Sequence, residues 1–185
     1  MKRNLLFLDS EFTGLHQQAE LISLGIVSDT GSTFYAEFID YDPASINPWL
    51  KENVIAHLQF GEKETSYVEI LSENHWQVRG DKAWISSQIR EYLKQFEQVE
   101  CWWDYVAYDW VLFCELFGGS MNLPEQVYYI PFDLMTLFYL KGEDPDINRE
   151  KFLKEKIAQE GKKGVRHNAL WDARLTQWAY QKLTE

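Results

Sequence analysis

Four acidic side chains and one imidazole stand in this chain where a hydrolytic metal site could use them. Asp9 and Glu11 lie two apart in LDSEF, at the end of an apolar stretch that reads as a strand, and a strand's period of two turns both carboxylates to one face. Two carboxylates that close oppose each other's ionisation, so the pair suits a hard divalent cation that neutralises both. An isolated Asp-x-Glu is also what a solvated strand end looks like, and the pair acquires meaning only from companions.

Companions occur in RHNALWD. His167 stands in a loop just ahead of the last helix, and Asp172 falls one turn past that helix's start. An imidazole on a Gly- and Lys-rich segment can take a proton from water near neutral pH, while a carboxylate fixed on a helix is better suited to hold a metal. A fourth acid, Asp109, opens the helix after the fourth predicted strand, where α/β proteins present ligands beyond the strand ends. Asp104, five residues earlier, is its rival. The helix start fixes the direction of Asp109, whereas the strand pattern does not settle which way Asp104 faces.

Five strands and a set of helices must position these groups. NLLFLD is the first strand, and two apolar stretches flanking Asp29-Thr30-Gly31 form a hairpin. After the breaks at Pro43 and Pro48, WLKENVIAHL has helical spacing, and residues 80–96 form an amphipathic helix. The stretch Glu62 to Val78 carries no clear pattern. VECWWDYVA is a fourth strand leading into the helix YDWVLFCELF, and QVYYIPF is a fifth strand before the helix DLMTLFYL. A basic helix to about Gln159, a Lys-rich loop from Gly161 to Arg166 and a final helix capped by Asn168 complete the chain. The expected class is α/β, with a central five-stranded mixed sheet flanked by helices.

A chain of 185 residues, 45% hydrophobic and 16% aromatic, fits one domain over 1–185 with a full core. Two cysteines are too few for a disulfide framework, the N-terminal apolar run is too short for a signal segment, and no window could span a bilayer. A cytoplasmic protein without a membrane partner is expected. The net charge of −11 excludes a broad basic surface for wrapping nucleic acid, but not a carboxylate cluster whose cations meet a substrate phosphate. Of the eight tryptophans, Trp84, Trp110, Trp171 and Trp178 lie at core-like helical spacings, and Trp102 and Trp103 must face opposite sides of their strand. The Lys-rich loop suits backbone contact, although a solvated charge run has the same composition.

LDSEFTGL, AYDWVLF and HNALWD, in this order, resemble the three motifs of the histidine-containing (DEDDh) subgroup of DEDD 3′-5′ exonucleases, and the likeness covers nearly the whole chain. ELISLGIV, WWDYVAYDWVLFCELFG, MNLPEQV and HNALWDAR are similar to ribonuclease AS-type exoribonucleases, which prefer adenylate. Asp104 and Tyr105 stand where the superfamily usually has Asn or His. The resemblance implies a ribonuclease H-like fold and two Mg²⁺ or Mn²⁺ ions on Asp9, Glu11, Asp109 and Asp172, with His167 as general base. It also implies that Phe12, Thr13 and Leu15 meet the terminal nucleotide of a single-stranded RNA 3′ end, and that the chain is a homodimer. The residues leave a proofreading-type DNA exonuclease open as the nearest alternative, since only recognition of the 2′-hydroxyl separates the two. A non-catalytic nucleic-acid-binding module is the remaining one.

Overall fold

The computed structural model describes residues 3–60, 68–161 and 163–185. Among the described residues, seven strands form one mixed sheet in the order β4-β5-β3-β2-β1-β6-β7. β1 (Asn4–Phe12), β2 (Leu21–Ser28) and β3 (Thr33–Phe38) are the expected first strand and hairpin, paired antiparallel. β6 (Val99–Trp103) joins β1 in parallel and continues to β7 (Phe132–Asp133), while β4 (Val68–Leu71) and β5 (His75–Gly80) extend the other edge from β3.

The α/β class is as expected, but the five-strand count is not. The two added strands, β4 and β5, draw on the stretch from Glu62 to Val78 that had no readable pattern, of which residues 61–67 lie outside the described residues. The alternation of β5 is weak because it packs only one side well: His75 is exposed, while Val78 and Gly80 are buried. The fifth expected strand shrinks to Phe132–Asp133 plus an isolated bridge between Val127 and Val99, because the exposed Tyr129 and Ile130 leave the sheet edge.

Helices cover both faces. α1 (Pro48–Asn53) follows the Pro breaks, with Asn47 capping Leu50 N. α2 (Lys82–Leu93) begins at the Asp81 cap and sends Ile85, Ile89, Tyr92 and Leu93 into the main core with Leu6, Leu8, Leu24, Ile26 and Phe34 of the central strands. α3 (Val106–Glu115) adds Leu112 and Phe113 to that same core. α4 (Leu134–Leu140), α5 (Arg149–Phe152) and α6 (Lys154–Glu160) pack around the C-terminal half of α7 (Ala169–Thr184). The expected basic helix is therefore broken in two at Leu153, which is buried.

α7 lies on the other sheet face, where Ala173 packs against Phe7 and Val27. Its approach depends on Gly25. A Cβ there would sit 2.3 Å from the carbonyl oxygen of Ala169, closer than any side chain can tolerate against backbone. Gly25 pairs with Asp9 across β1 and β2. The first turn of α7 is thus pressed onto the sheet beside the first acidic residue.

Candidate active site

β1 alternates as its sequence predicts. Leu6 and Leu8 enter the α2–α3 core, Phe7 faces α7, and Asp9 and Glu11 continue the α7 side. α7 brings Asp172 to them. Its cap, Asn168, accepts a hydrogen bond from Trp171 N and donates one to the His57 carbonyl, tying the helix start to the turn after α1.

His167 has φ +64°, an uncommon backbone conformation for any residue but glycine. The strain has a visible result. The His167 amide donates to Asp172 Oδ2 at 2.8 Å, and the ring's Nδ1 lies 3.5 Å from Glu11 Oε1. Ligand atoms of Glu11, His167 and Asp172 all fall within 4.8 Å of one another. The half-exposed indole of Trp49 meets the imidazole edge-on, with ring centroids 5.1 Å apart.

These groups open on a cavity of about 300 Å³, large enough for a nucleotide. Asp9, Glu11, His167 and Asp172 line it together with Arg166 from the Lys-rich loop and with the segment Pro145 to Glu150. Asp109 is buried on the Ser10 side of β1, where its Oδ1 accepts from Ser10 N at 3.0 Å and Ser10 Oγ at 2.6 Å. It does not line the cavity, although it lies within electrostatic range of Asp9 and Glu11. Asp104 does line the cavity, with its carboxylate clamped by Arg149.

The electrostatics are those of a cluster short of positive charge. Burial, then the charges of Asp172, Glu11, Asp109 and Asp104, push the Asp9 carboxyl well above the ordinary carboxylate range. Burial and Glu11 raise Asp172 to about 7, and burial raises Asp109 to about 6 despite its two bonds from Ser10. Contact with Glu11 raises His167, against a smaller opposing effect of burial. Asp9 Oδ2 is buried without a hydrogen-bond partner. An orphaned carboxylate oxygen beside three more acids is what a divalent cation would satisfy, so this donor set fits one.

The expected nucleotide-contacting residues divide. Phe12 is half-buried against the core, with its ring 6.2 Å from that of Tyr108, and Thr13 is buried with its hydroxyl accepting from Glu20 N. Leu15 is 69% exposed, which a core residue would not be. Trp102 and Trp103 point to opposite faces as expected, the first stacked on Phe132 and the second fully buried against Phe113. Trp49 and Arg149 are the neighbours that sequence reasoning missed. Trp49 had only the Pro48 helix start as a local signal, and Arg149 had none, because its partner is 45 residues away.

The model of the Rv2179c-like 3′-5′ exoribonuclease domain matches residues 4–184, nearly the whole chain. The chain belongs to that family. Two relatives from Mycobacterium tuberculosis, the 3′-5′ exoribonuclease Rv2179c of strain ATCC 25618 / H37Rv and the 3′-5′ exoribonuclease MT2234.1 of strain CDC 1551 / Oshkosh, are each 28% identical over 138 residues. That alignment covers 74% of this chain and 74% of each relative. A crystal structure of a full-length 3′-exonuclease matches with a TM-score of 0.61 at 12% identity, over 98% of this chain and 80% of that one. At that identity the likeness is one of fold, and it agrees with the ribonuclease H-like architecture. Membership of the family makes the chain a 3′-5′ exoribonuclease by class. Among the described residues, no helix is long and apolar enough to cross a membrane.

Proposed function

We propose that this protein is a metal-dependent hydrolase that removes nucleoside 5′-monophosphates one at a time from the 3′ end of single-stranded RNA, with a preference for adenylate. The observation that carries the reading is the convergence of Asp9, Glu11, His167 and Asp172 on one nucleotide-sized cavity, with Asp9 Oδ2 left without a partner.

Asp9, Glu11, Asp109 and Asp172 would hold two divalent cations, Mg²⁺ or Mn²⁺, which supply a lowered pKa for the attacking water and charge stabilisation for the leaving 3′ oxygen. His167 takes the proton of that water at Nε2, and Glu11 beside Nδ1 stabilises the imidazolium that results. The Asp172 carboxylate, by accepting the His167 amide, fixes the loop that carries the base. Arg166 offers the cavity a cation for a substrate phosphate. Phe12, packed against the core, Thr13, whose hydroxyl accepts from Glu20 N, and the exposed Leu15 would meet the terminal nucleoside, as the motif they belong to implies.

The test is product analysis on 5′-end-labelled oligoribonucleotides and matched oligodeoxyribonucleotides, with homopolymers of each base, in Mg²⁺, Mn²⁺ or chelator. A one-nucleotide ladder from RNA that disappears in chelator is expected, fastest on oligoadenylate. Faster shortening of DNA would replace this reading with a proofreading-type exonuclease, and binding without product would replace it with a non-catalytic module. A single exonuclease domain acting as a cytoplasmic homodimer completes the reading, and sedimentation of the purified chain tests the dimer.

A further inference from the structure

Asp104, a carboxylate outside the proposed ligand set, faces the cavity together with Asp9, Glu11 and Asp172 and needs an explanation. Leu8 of β1 pairs with Trp103, the last residue of β6, in parallel register, so Asp9 and Asp104 are the next residues along the two chains, Asp104 just past the strand end. Neighbouring strands lie about 4.8 Å apart, and in-register residues project to the same side. Phe7 and Trp102, one pleat earlier, confirm the side: both pack in the cluster beneath α7. Asp104 therefore starts from the same face as Asp9, and both line the cavity.

Arg149 takes this carboxylate. Its Nε lies 2.9 and 3.1 Å from the two Asp104 oxygens, and Nη2 lies 2.8 Å from Oδ1. The same guanidinium also bonds main chain, with Nη1 donating to the Ile147 carbonyl at 2.6 Å and Nη2 to the Pro145 carbonyl at 2.9 Å. Its flat face lies 4.2 Å from the ring centre of Phe138. The Arg149 side chain is only 11% exposed. A guanidinium whose Nε and Nη2 grip one acid while Nη1 and Nη2 also bond two carbonyls is fixed in place, which a flexible ammonium would not be.

Resting on the metal-dependent reading above, we propose that Arg149 is a positioning residue for the reaction: it holds the Asp104 carboxylate out of the metal-directed cluster. Four acids then face the cations rather than five. Without Arg149, Asp104 would be a free anion one strand from Asp9, able to draw a cation away from the position that Asp9, Glu11 and Asp172 define. Asp133 is the other acid near Asp104 and would add to that pull.

The test is calorimetric titration of the metal-stripped full chain with Mn²⁺ alone, in the wild type, Arg149→Met, Asp104→Asn, the double variant and Arg149→Lys, together with kcat on a single-stranded oligoribonucleotide. Arg149→Met should bind Mn²⁺ at least threefold more tightly while kcat falls at least tenfold. Adding Asp104→Asn should return Mn²⁺ affinity to within twofold of wild type and recover most of the lost kcat, which a merely structural role for Arg149 would not allow. Asp104→Asn alone should leave Mn²⁺ affinity within twofold, whereas Arg149→Lys, whose flexible ammonium holds Asp104 less firmly, should tighten Mn²⁺ binding in the direction of Arg149→Met by a smaller factor; a folded Arg149→Lys with unchanged Mn²⁺ affinity would overturn the proposal even if Arg149→Met does not fold. A tenfold loss of Mn²⁺ affinity in Asp104→Asn would make Asp104 a metal ligand and overturn the proposal, as would unchanged Mn²⁺ binding in a folded Arg149→Met. A wild type that follows the Mn²⁺ pattern but cuts no RNA would overturn the proposed function instead.

Discussion

Gly25 and Ala169 are in backbone contact so close that a Cβ on Gly25 would lie 2.3 Å from the Ala169 carbonyl oxygen. Because Gly25 is the cross-strand partner of Asp9, this contact sets the distance between the acid on β1 and those carried by α7. No rotamer change relieves a clash with main chain, so Gly25→Ala must move the helix. It should cost about 1–3 kcal/mol, as overpacking does, and a displacement near 1 Å should lower kcat by about a hundredfold. Melting temperature and turnover measured together check this, and an Ala variant of wild-type activity would show that α7 tolerates the shift.

Metal-free protein should be more stable in mild acid than in mild base. Asp9, Asp109 and Asp172 all titrate above the ordinary carboxylate value of 3.8 when folded, two of them at about 6 and about 7. The folded chain therefore holds more protons than the unfolded one between those limits, and stability from these groups is lost as pH rises towards 7. Thermal melts in chelator at about pH 5.5 and about pH 8 should show the drop, and Mn²⁺ should raise the melting temperature most at the higher pH. Equal melting temperatures at the two pH values in chelator would mean that the cluster is not strained when empty.

Asp9→Asn, Glu11→Gln, Asp109→Asn and Asp172→Asn should each nearly abolish turnover, because both cations depend on a shared set of acids. In chelator the same variants of Asp9 and Asp172 should melt at or above the wild-type temperature, since one repelling charge is gone. Asp109 is the informative member, because it lies behind β1 on Ser10 rather than on the cavity. Full activity in Asp109→Asn would remove it from the ligand set.

His167→Ala should lose more than about a hundredfold in kcat with little change in KM, as expected for a general base. The base works in its neutral form, and contact with Glu11 raises its pKa above the ordinary imidazole value. The rate should therefore climb with pH along a limb displaced to higher pH than a free imidazole would give. A pH–rate profile of the variant that keeps this limb would assign it to another group.

A 3′-phosphate should make an RNA a poor substrate, whereas the same RNA ending in a 3′-hydroxyl should be shortened stepwise. The extra phosphate would place charge beside Asp9 and Glu11, and burying it without compensation is costly. Single-turnover cleavage of the paired oligonucleotides, with a circular RNA as control, measures this. Equal rates on the linear pair, or cutting of the circle, would mean an open groove without an end-reading wall.

The order and type of most elements could be read from the chain because they depend on local periodicity and caps. The alternation of NLLFLDSEF alone put Asp9 and Glu11 on one face, and Asn168 announced the start of the helix that carries Asp172. The strands farther out in the sheet were less legible. β5 is half-packed and β7 is two residues long, so neither imposes a clear period of two on its sequence. The site itself divides along the same line. Residue types and spacing marked Asp9, Glu11, Asp109, His167 and Asp172, but proximity came only with the fold. Register across β1 and β2 set Gly25 against Asp9, and the crossing of α7 closed His167 onto Glu11. The parallel pairing of β1 with β6 brought Asp104 beside Asp9, and the packing of α5 delivered Arg149 to it across 45 residues of chain. Those relationships follow from burial and strand pairing between distant segments, which no local pattern encodes.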